Sequence, residues 1–335
     1  MKIKILTTLL IVTALWLTAC TKDDAGQETV VTPSPSGQTL QLESVTRSGS
    51  IAATLQNIKV LMAPDDKADT YYEGSFVKTT NGWDHFVSVN VPNYHIYGYM
   101  PGDQFSASLS PLPGSANGFQ SGAVMTFTDL PAAVSENFCI VTSVKNTKPT
   151  DDDPFVLGNY AFENIHNKVS LHLDHLYAGL VFKVALGNNR NYSDLRTIKL
   201  DTLKIRTKQV EKAVVTFRQG KQLADGDIAY TFATGKSAEC PFYEGGGVLA
   251  APADTVKAMA GYVPQLYDDL ELVAVYTVYN KAGKQVRTHT KVANKIPMKS
   301  LLSRGQMYTF VVTVEPSYLY QLSDDDLNNP DISIN

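Results

Sequence analysis

Cysteine, arginine, histidine and clustered aspartate are the residues of this chain whose placement could support chemistry. Cys20 closes an N-terminal segment made of Lys2 and Lys4, an apolar run over residues 5–17 broken only by threonines, and then Leu17-Thr18-Ala19. A basic start, a short apolar run and small residues before a cleavage point make an export signal. The run is too short to cross a bilayer, which takes a helix of roughly 20 residues. Arg47 ends the stretch Leu40-Gln41-Leu42-Glu43-Ser44-Val45-Thr46-Arg47, and Ser48-Gly49-Ser50 follows. A β-like segment that gives way to small flexible residues offers its Arg47–Ser48 bond to an arginine-specific protease. The same pattern also fits an ordinary exposed arginine. Among six histidines, His172 and His175 form a close pair, with His166 nearby. Positions three apart on a strand face opposite sides, so these two cannot share a metal without a bulge between them. His175 is read as packing or capping there, and no metal site is expected.

Other groups are read as structural. The runs Asp151-Asp152-Asp153, Asp268-Asp269 and Asp324-Asp325-Asp326 lack the alternate spacing and glycine of a calcium loop and read as solvated turns. The chain has no GxSxG, HExxH or GxxxxGK[ST] motif, and Gly245-Gly246-Gly247 has no basic residue or helix after it, so it reads as a loop. The chain is therefore read as a non-enzyme without a cofactor. Cys139 and Cys240 form no CxxC motif. An exported chain permits their pairing. They are nevertheless read as buried free thiols in different halves, because a disulfide needs Cα atoms within about 7 Å. His95, Tyr97 and Tyr99 share one face of a strand pattern and could either stack on sugar rings or fill a core. Core is the reading adopted.

The elements that carry these residues are nearly all strands. Alternation of apolar and polar residues runs through 86–91, 178–186, 270–279 and 308–314, rich in β-branched and aromatic types. Asn81-Gly82, Pro101-Gly102-Asp103, Pro113-Gly114, Asn117-Gly118, Asp225-Gly226 and Ala282-Gly283 supply turn signals. Helical spacing is confined to a turn or two at 195–200 and 298–303. Residues 25–38 are rich in Pro, Gly, Ser and Thr and read as a linker. The stretch 145–154 reads as a surface loop. Val169, Leu171 and Leu173 share a face, yet the next apolar face begins at Ala178, so the parity changes across Asp174-His175 and requires a bulge or a break. That places a boundary near 165–175. The 335 residues, 44% of them hydrophobic, suffice for one large or two medium domains. A net charge of −4 argues against a nucleic-acid surface.

Cys20 in its setting resembles the lipobox cysteine of bacterial lipoproteins, which is acylated after cleavage before it. Thr21-Lys22-Asp23-Asp24 resembles the acidic surface-export signal of Bacteroidetes lipoproteins and equally fits a charged tether. The order of Cys20, Arg47, two β-rich halves, the segment 167–178 (NKVSLHLDHLYA) and an end running from Gly305-Gln306-Met307 to an acidic tail resembles the fimbrillins of the Bacteroidales, the Mfa-like or FimA-like pilins. The resemblance implies two tandem β-sandwich domains of transthyretin-like, Greek-key type: a signal over 1–20, a linker and removable strand over 21–47, sandwiches over 48–168 and 169–335. It implies an outer-membrane lipoprotein that is cut at Arg47–Ser48 and assembled into a surface fimbrium by strand addition with other pilin subunits. Leu40 and Leu42 would leave with the removed strand. Tyr318, Leu319, Tyr320, Ile332 and Ile334 are the donor-strand candidates. Asp324-Asp325-Asp326 and Pro330 interrupt a long donor strand. A host glycoprotein or glycan is the expected adhesion partner. The competing reading is a permanently lipid-anchored surface glycan-binding protein, which needs the His95, Tyr97 and Tyr99 strip to be exposed.

Overall fold

The computed structural model describes residues 29–31, 38–47, 55, 57–64, 67, 70–84, 86–88, 93–128, 130, 131, 138–155, 158, 161–163, 168–186, 196–249, 256, 257, 261–264, 270–295, 302–315 and 331–334. Strands dominate. The first half carries β1 (Thr29–Val31), β2 (Gln38–Arg47), β3 (Ile58–Pro64), β4 (Thr70–Phe76), β5 (Lys78–Thr79), β6 (Gly82–Trp83), β7 (Phe86–Ser88), β8 (Asn93–Met100), β9 (Ala107–Pro111), β10 (Gly122–Thr128), β11 (Cys139–Lys145), β12 (Ala161–Glu163) and β13 (Lys168–His175). The second half carries β14 (Ala178–Leu186), β15 (Arg196–Arg218), β16 (Ile228–Val248), β17 (Val256–Lys257), β18 (Gly261–Val263), β19 (Glu271–Asn280), β20 (Gln285–Lys295), β21 (Met307–Glu315) and β22 (Asp331–Ile334). Among the described residues the only helical pieces are two 3₁₀ turns, Gly118–Ser121 and Asp225–Asp227. No helix among them is long and apolar enough to cross a membrane.

Three large sheets result. The first follows the order β1-β4-β3-β8-β11-β13-β2-β7, with β12 on β8. The second runs β20-β19-β15-β10-β9 with β16 on β15, and the third runs β17-β14-β21-β22 with β18 on β14. The first sheet is curled. β1 stands first and β2 next to last in its order although six residues separate them, and the last strand, β7, comes back against β4. The curl encloses a core of Leu40, Ile58, Val60, Met62, Phe76 and Tyr94 with their neighbours on β8, β11 and β13. The opposite face of the same sheet packs on the second sheet. There Leu61, Tyr97, Tyr99 and Ile140 meet Met125, Phe127, Val215 and Phe217. With both faces covered, β8 is buried along nearly its whole length.

β15 is 23 residues long and serves two cores. Its end pairs with β10, from Gly122↔Arg218 to Thr128↔Lys212. Its start pairs with β19, from Arg196↔Asn280 to Arg206↔Glu271. Val210, Ala213, Val215 and Phe217 therefore join the first half, while Ile198, Leu200, Leu203 and Ile205 pack with Leu180, Phe182 and Val312 of the third sheet. Two local expectations are corrected. Residues 196–200 begin this strand instead of a helical turn, and Gly245-Gly246-Gly247 lie within β16, where Gly246 takes φ +66 and the register with β15 slips. Residues 298–301 lie outside the described residues.

The parity change at Asp174-His175 is a break. β13 ends at His175 in the first sheet, Leu176-Tyr177 bend, and β14 starts in the third sheet. Hydrogen bonds hold the bend: Leu176 N–H donates to Phe138 O at 2.8 Å and Gly305 N–H to Tyr177 O at 3.0 Å. The 145–154 stretch is an exposed loop in which Lys145 pairs with Asp153.

Candidate functional site

The site is built around β2. Its residues alternate faces, and Leu40 points into the curled core with 0% exposure. Leu42 and Val45 pack against the same core, half-buried. These two are three apart, which a regular strand would place on opposite faces. The register explains it. β2 runs parallel to β13 with Leu42 opposite Val169 but Ser44 opposite Ser170, so Glu43 is an extra residue. Such a bulge restores the inward direction for Val45 and then Arg47. On its other edge β2 pairs antiparallel with β7 through Gln38↔Ser88, Thr39↔Val87 and Leu40↔Phe86.

The outward face of the seam is polar and matched. Ser44 Oγ donates to Ser170 Oγ at 2.8 Å, and Thr46 Oγ1 bonds His172 Nδ1 at 2.8 Å. Glu43 and Lys168 pair at 3.6 Å. His172 Nε2 lies 3.7 Å from Asp174 Oδ1. Burial pushes the His172 imidazole below its ordinary pKa, and the Asp174 carboxylate works against that shift.

Arg47 is the last residue of β2 and sits opposite Leu173. It is half-buried, and its Nη1 is buried without a hydrogen-bond partner. Its charge acts on two neighbours. Burial pushes the Cys139 thiol up to about 12, with Arg47 opposing and Asp174 reinforcing the rise. Burial likewise raises the Tyr262 hydroxyl, which Cys139 raises further and Arg47 lowers. Cys139 Sγ lies 3.2 Å from His175 Nδ1.

Below this seam Arg304 joins the halves. It contacts Asp174 Oδ2 at 3.7 Å and Asp225 Oδ1 at 2.9 Å, and donates to Leu223 O at 2.7 Å and His175 O at 3.4 Å. Sequence reasoning missed Arg304, Asp174 and the seam pairs Ser44–Ser170 and Thr46–His172. Only the alternation of Ser44 and Thr46 with apolar residues hinted at a polar strand face.

The other predicted residues are distributed as follows. Cys20, Ser48, Tyr318, Leu319 and Tyr320 lie outside the described residues. Ile332 and Ile334 are in β22, whose backbone pairs antiparallel with β21 of the same chain, Val314↔Ile332 and Val312↔Ile334. His95, Tyr97 and Tyr99 are 1%, 0% and 2% exposed. Tyr97 packs on Phe217 at 5.1 Å between ring centroids and Tyr99 on Phe127 at 5.3 Å. Tyr99 donates to Phe105 O at 3.0 Å, and its hydroxyl is raised to about 12, by burial first and then by Glu73. The strip is core. Cys139 and Cys240 are free thiols, the first buried and the second half-buried. Among the described residues no three His, Cys, Asp or Glu converge on a point that could hold a metal.

No family model and no curated protein matches the chain. Solved structures do. A fimbrial protein from Bacteroides vulgatus is 13% identical, covering 89% of this chain and 98% of that one, with a TM-score of 0.48. A candidate cell adhesion protein from Bacteroides uniformis is 13% identical over 90% of this chain and 98% of that one, with a TM-score of 0.41. A candidate cell adhesion protein from Bacteroides fragilis is 10% identical over 92% and 97%, also at 0.41. Along most of its length the chain is similar in structure to fimbrial and candidate adhesion proteins of the Bacteroidales.

Proposed function

We propose that this chain is a non-catalytic fimbrial subunit, exported as a lipoprotein acylated on Cys20, cut at Arg47–Ser48 and assembled by strand addition at the bacterial surface. The observation that carries the reading is β2 itself. A ten-residue strand ends at the candidate cut, lies between β13 and β7, and fills the core with Leu40. Its loss would leave β13 and β7 with unpaired backbone edges beside an apolar slot. A strand from another chain binds such an edge through main-chain hydrogen bonds, with alternate side chains entering pockets. β1 precedes the cut as well, so the same event would free the edge of β4. On this reading the lipid delivers the chain to the outer membrane and leaves with residues 20–47. The remainder is two sandwiches of Greek-key type, divided at the Leu176-Tyr177 bend after β13. Buried tyrosines at positions 97 and 99 give the glycan-platform alternative no surface to use.

Mass analysis of the mature N-terminus on producing cells tests this. A chain starting at Ser48 is expected. A population that retains lipidated Cys20 throughout, with no Ser48 form, overturns maturation at Arg47.

A further inference from the structure

Arg47 ends β2, yet its side chain turns inward instead of out into solvent. Its Nη1 is buried and has no hydrogen-bond partner among the described residues. Its charge is felt by Cys139 of β11 and by Tyr262 of β18, one buried residue from each half. A protease specific for arginine recognises its substrate by enclosing that whole side chain in a pocket, where the guanidinium fork meets a carboxylate. The folded chain does not present the fork. Resting on the reading of Arg47–Ser48 as the maturation site, we infer that the fold conceals its own cleavage signal: the end of β2, residues 44–47, must lift from β13 before Arg47 can be cut, and this opening sets the rate of maturation.

The contacts that hold the end in place are on the page. Arg47 lies opposite Leu173 in the parallel ladder. On the outward face Thr46 Oγ1 bonds His172 Nδ1 at 2.8 Å, and Ser44 Oγ donates to Ser170 Oγ at 2.8 Å. His172 is itself fixed, with Phe155 at 5.6 Å between ring centroids and Asp174 Oδ1 3.7 Å from its Nε2. Nη1 of Arg47 does not resist the lift, because it gives up no hydrogen bond on leaving and gains one in a protease pocket. The resistance therefore sits in the ladder and in the two outward pairs. Ser170 and His172 belong to β13, so the gate is set by residues that the protease does not read. An uncut chain keeps its lipid until that end opens.

The test compares the purified full chain with a peptide of residues 40–53, which carries the same bond without the fold. Both are digested by one arginine-specific protease, and mass spectrometry follows cleavage at Arg47–Ser48. The folded chain is expected to be cut about a hundredfold or more slowly than the peptide, because proteolysis of a closed site follows the population of its open form. His172→Ala should speed cutting of the folded chain about fivefold, the weight of one lost hydrogen bond. Urea below the unfolding transition should speed it progressively in the unaltered chain, with the peptide rate correcting for the response of the protease itself. Ser44→Cys with Ser170→Cys places two sulfurs where the hydroxyls already touch. Oxidised, that pair should slow the cut, and reduction should restore it, a dependence the unaltered chain does not show. A folded chain cut as fast as the peptide overturns the inference and leaves maturation at Arg47 standing. A slow rate that neither His172→Ala nor the oxidised pair moves overturns the β2 end as the gate. Absence of a Ser48 terminus on cells overturns the maturation reading, and with it the role of the gate, whatever the digestion rates.

Discussion

Leu40 is the residue on which the seam depends most. Leu40→Ala should destabilise the uncut chain by about 2–5 kcal/mol, measured by urea unfolding, because it removes a fully buried side chain from a closed core. His172 supplies a pH signature. Its folded pKa lies below the ordinary value near 6.5, so the unfolded chain binds the proton more readily. Stability should therefore fall as pH drops through and below about 6.5 and level off under the folded pKa. His172→Gln should flatten that part of the profile, and an unchanged slope would remove His172 as its source. The two thiols should also separate. Cys139, neutral up to about 12 and buried, should resist alkylation at pH 8 until the chain unfolds, while half-buried Cys240 reacts first, as peptide mass mapping would record. Arg47 was legible in sequence as the end of a strand. Its buried guanidinium nitrogen and the neighbours Cys139 and Tyr262 were not, because parallel pairing with a segment some 126 positions away brings them together and no local pattern encodes that distance.

Strands with an apolar residue at every second position announced themselves by alternation, as β14, β19 and β21 did. Others obscured the period for physical reasons. β8 is covered on both sides, so its apolar residues run on without a polar beat. β15 shifts register with its neighbours, and each slip moves the apolar face by one residue. Bulges likewise let three glycines lie inside β16. At the start of β10, Gly122 takes φ +131, and a Cβ there would collide with the Phe217 carbonyl oxygen. Gly122→Ala should cost roughly 1–3 kcal/mol from the backbone conformation alone. Calorimetry would detect this as a lowered Tm, and an unchanged Tm would contradict the β10–β15 spacing.

At the scale of the molecule, the two halves meet through Arg304 and through β15. Asp174 is buried, so Arg304→Ala leaves it without that cation and should destabilise by roughly 3–5 kcal/mol, with Asp174→Asn/Arg304→Met together milder than Arg304→Ala alone. Double-mutant unfolding curves would decide this. The mainly β class and the break near residue 175 were legible, whereas the sharing of β15 between cores was not, since a period of two is the same whichever sheet a strand faces. That shared strand has a mechanical consequence. A pull applied at the β2 slot and at the C-terminal strand runs along a continuous covalent cable that crosses from one core to the next. The β15–β16 ladder is then loaded in shear, many hydrogen bonds at once, in parallel with the Leu176-Tyr177 link that joins β13 to β14. Force spectroscopy along that axis should record one cooperative rupture at high load in place of two successive weak ones.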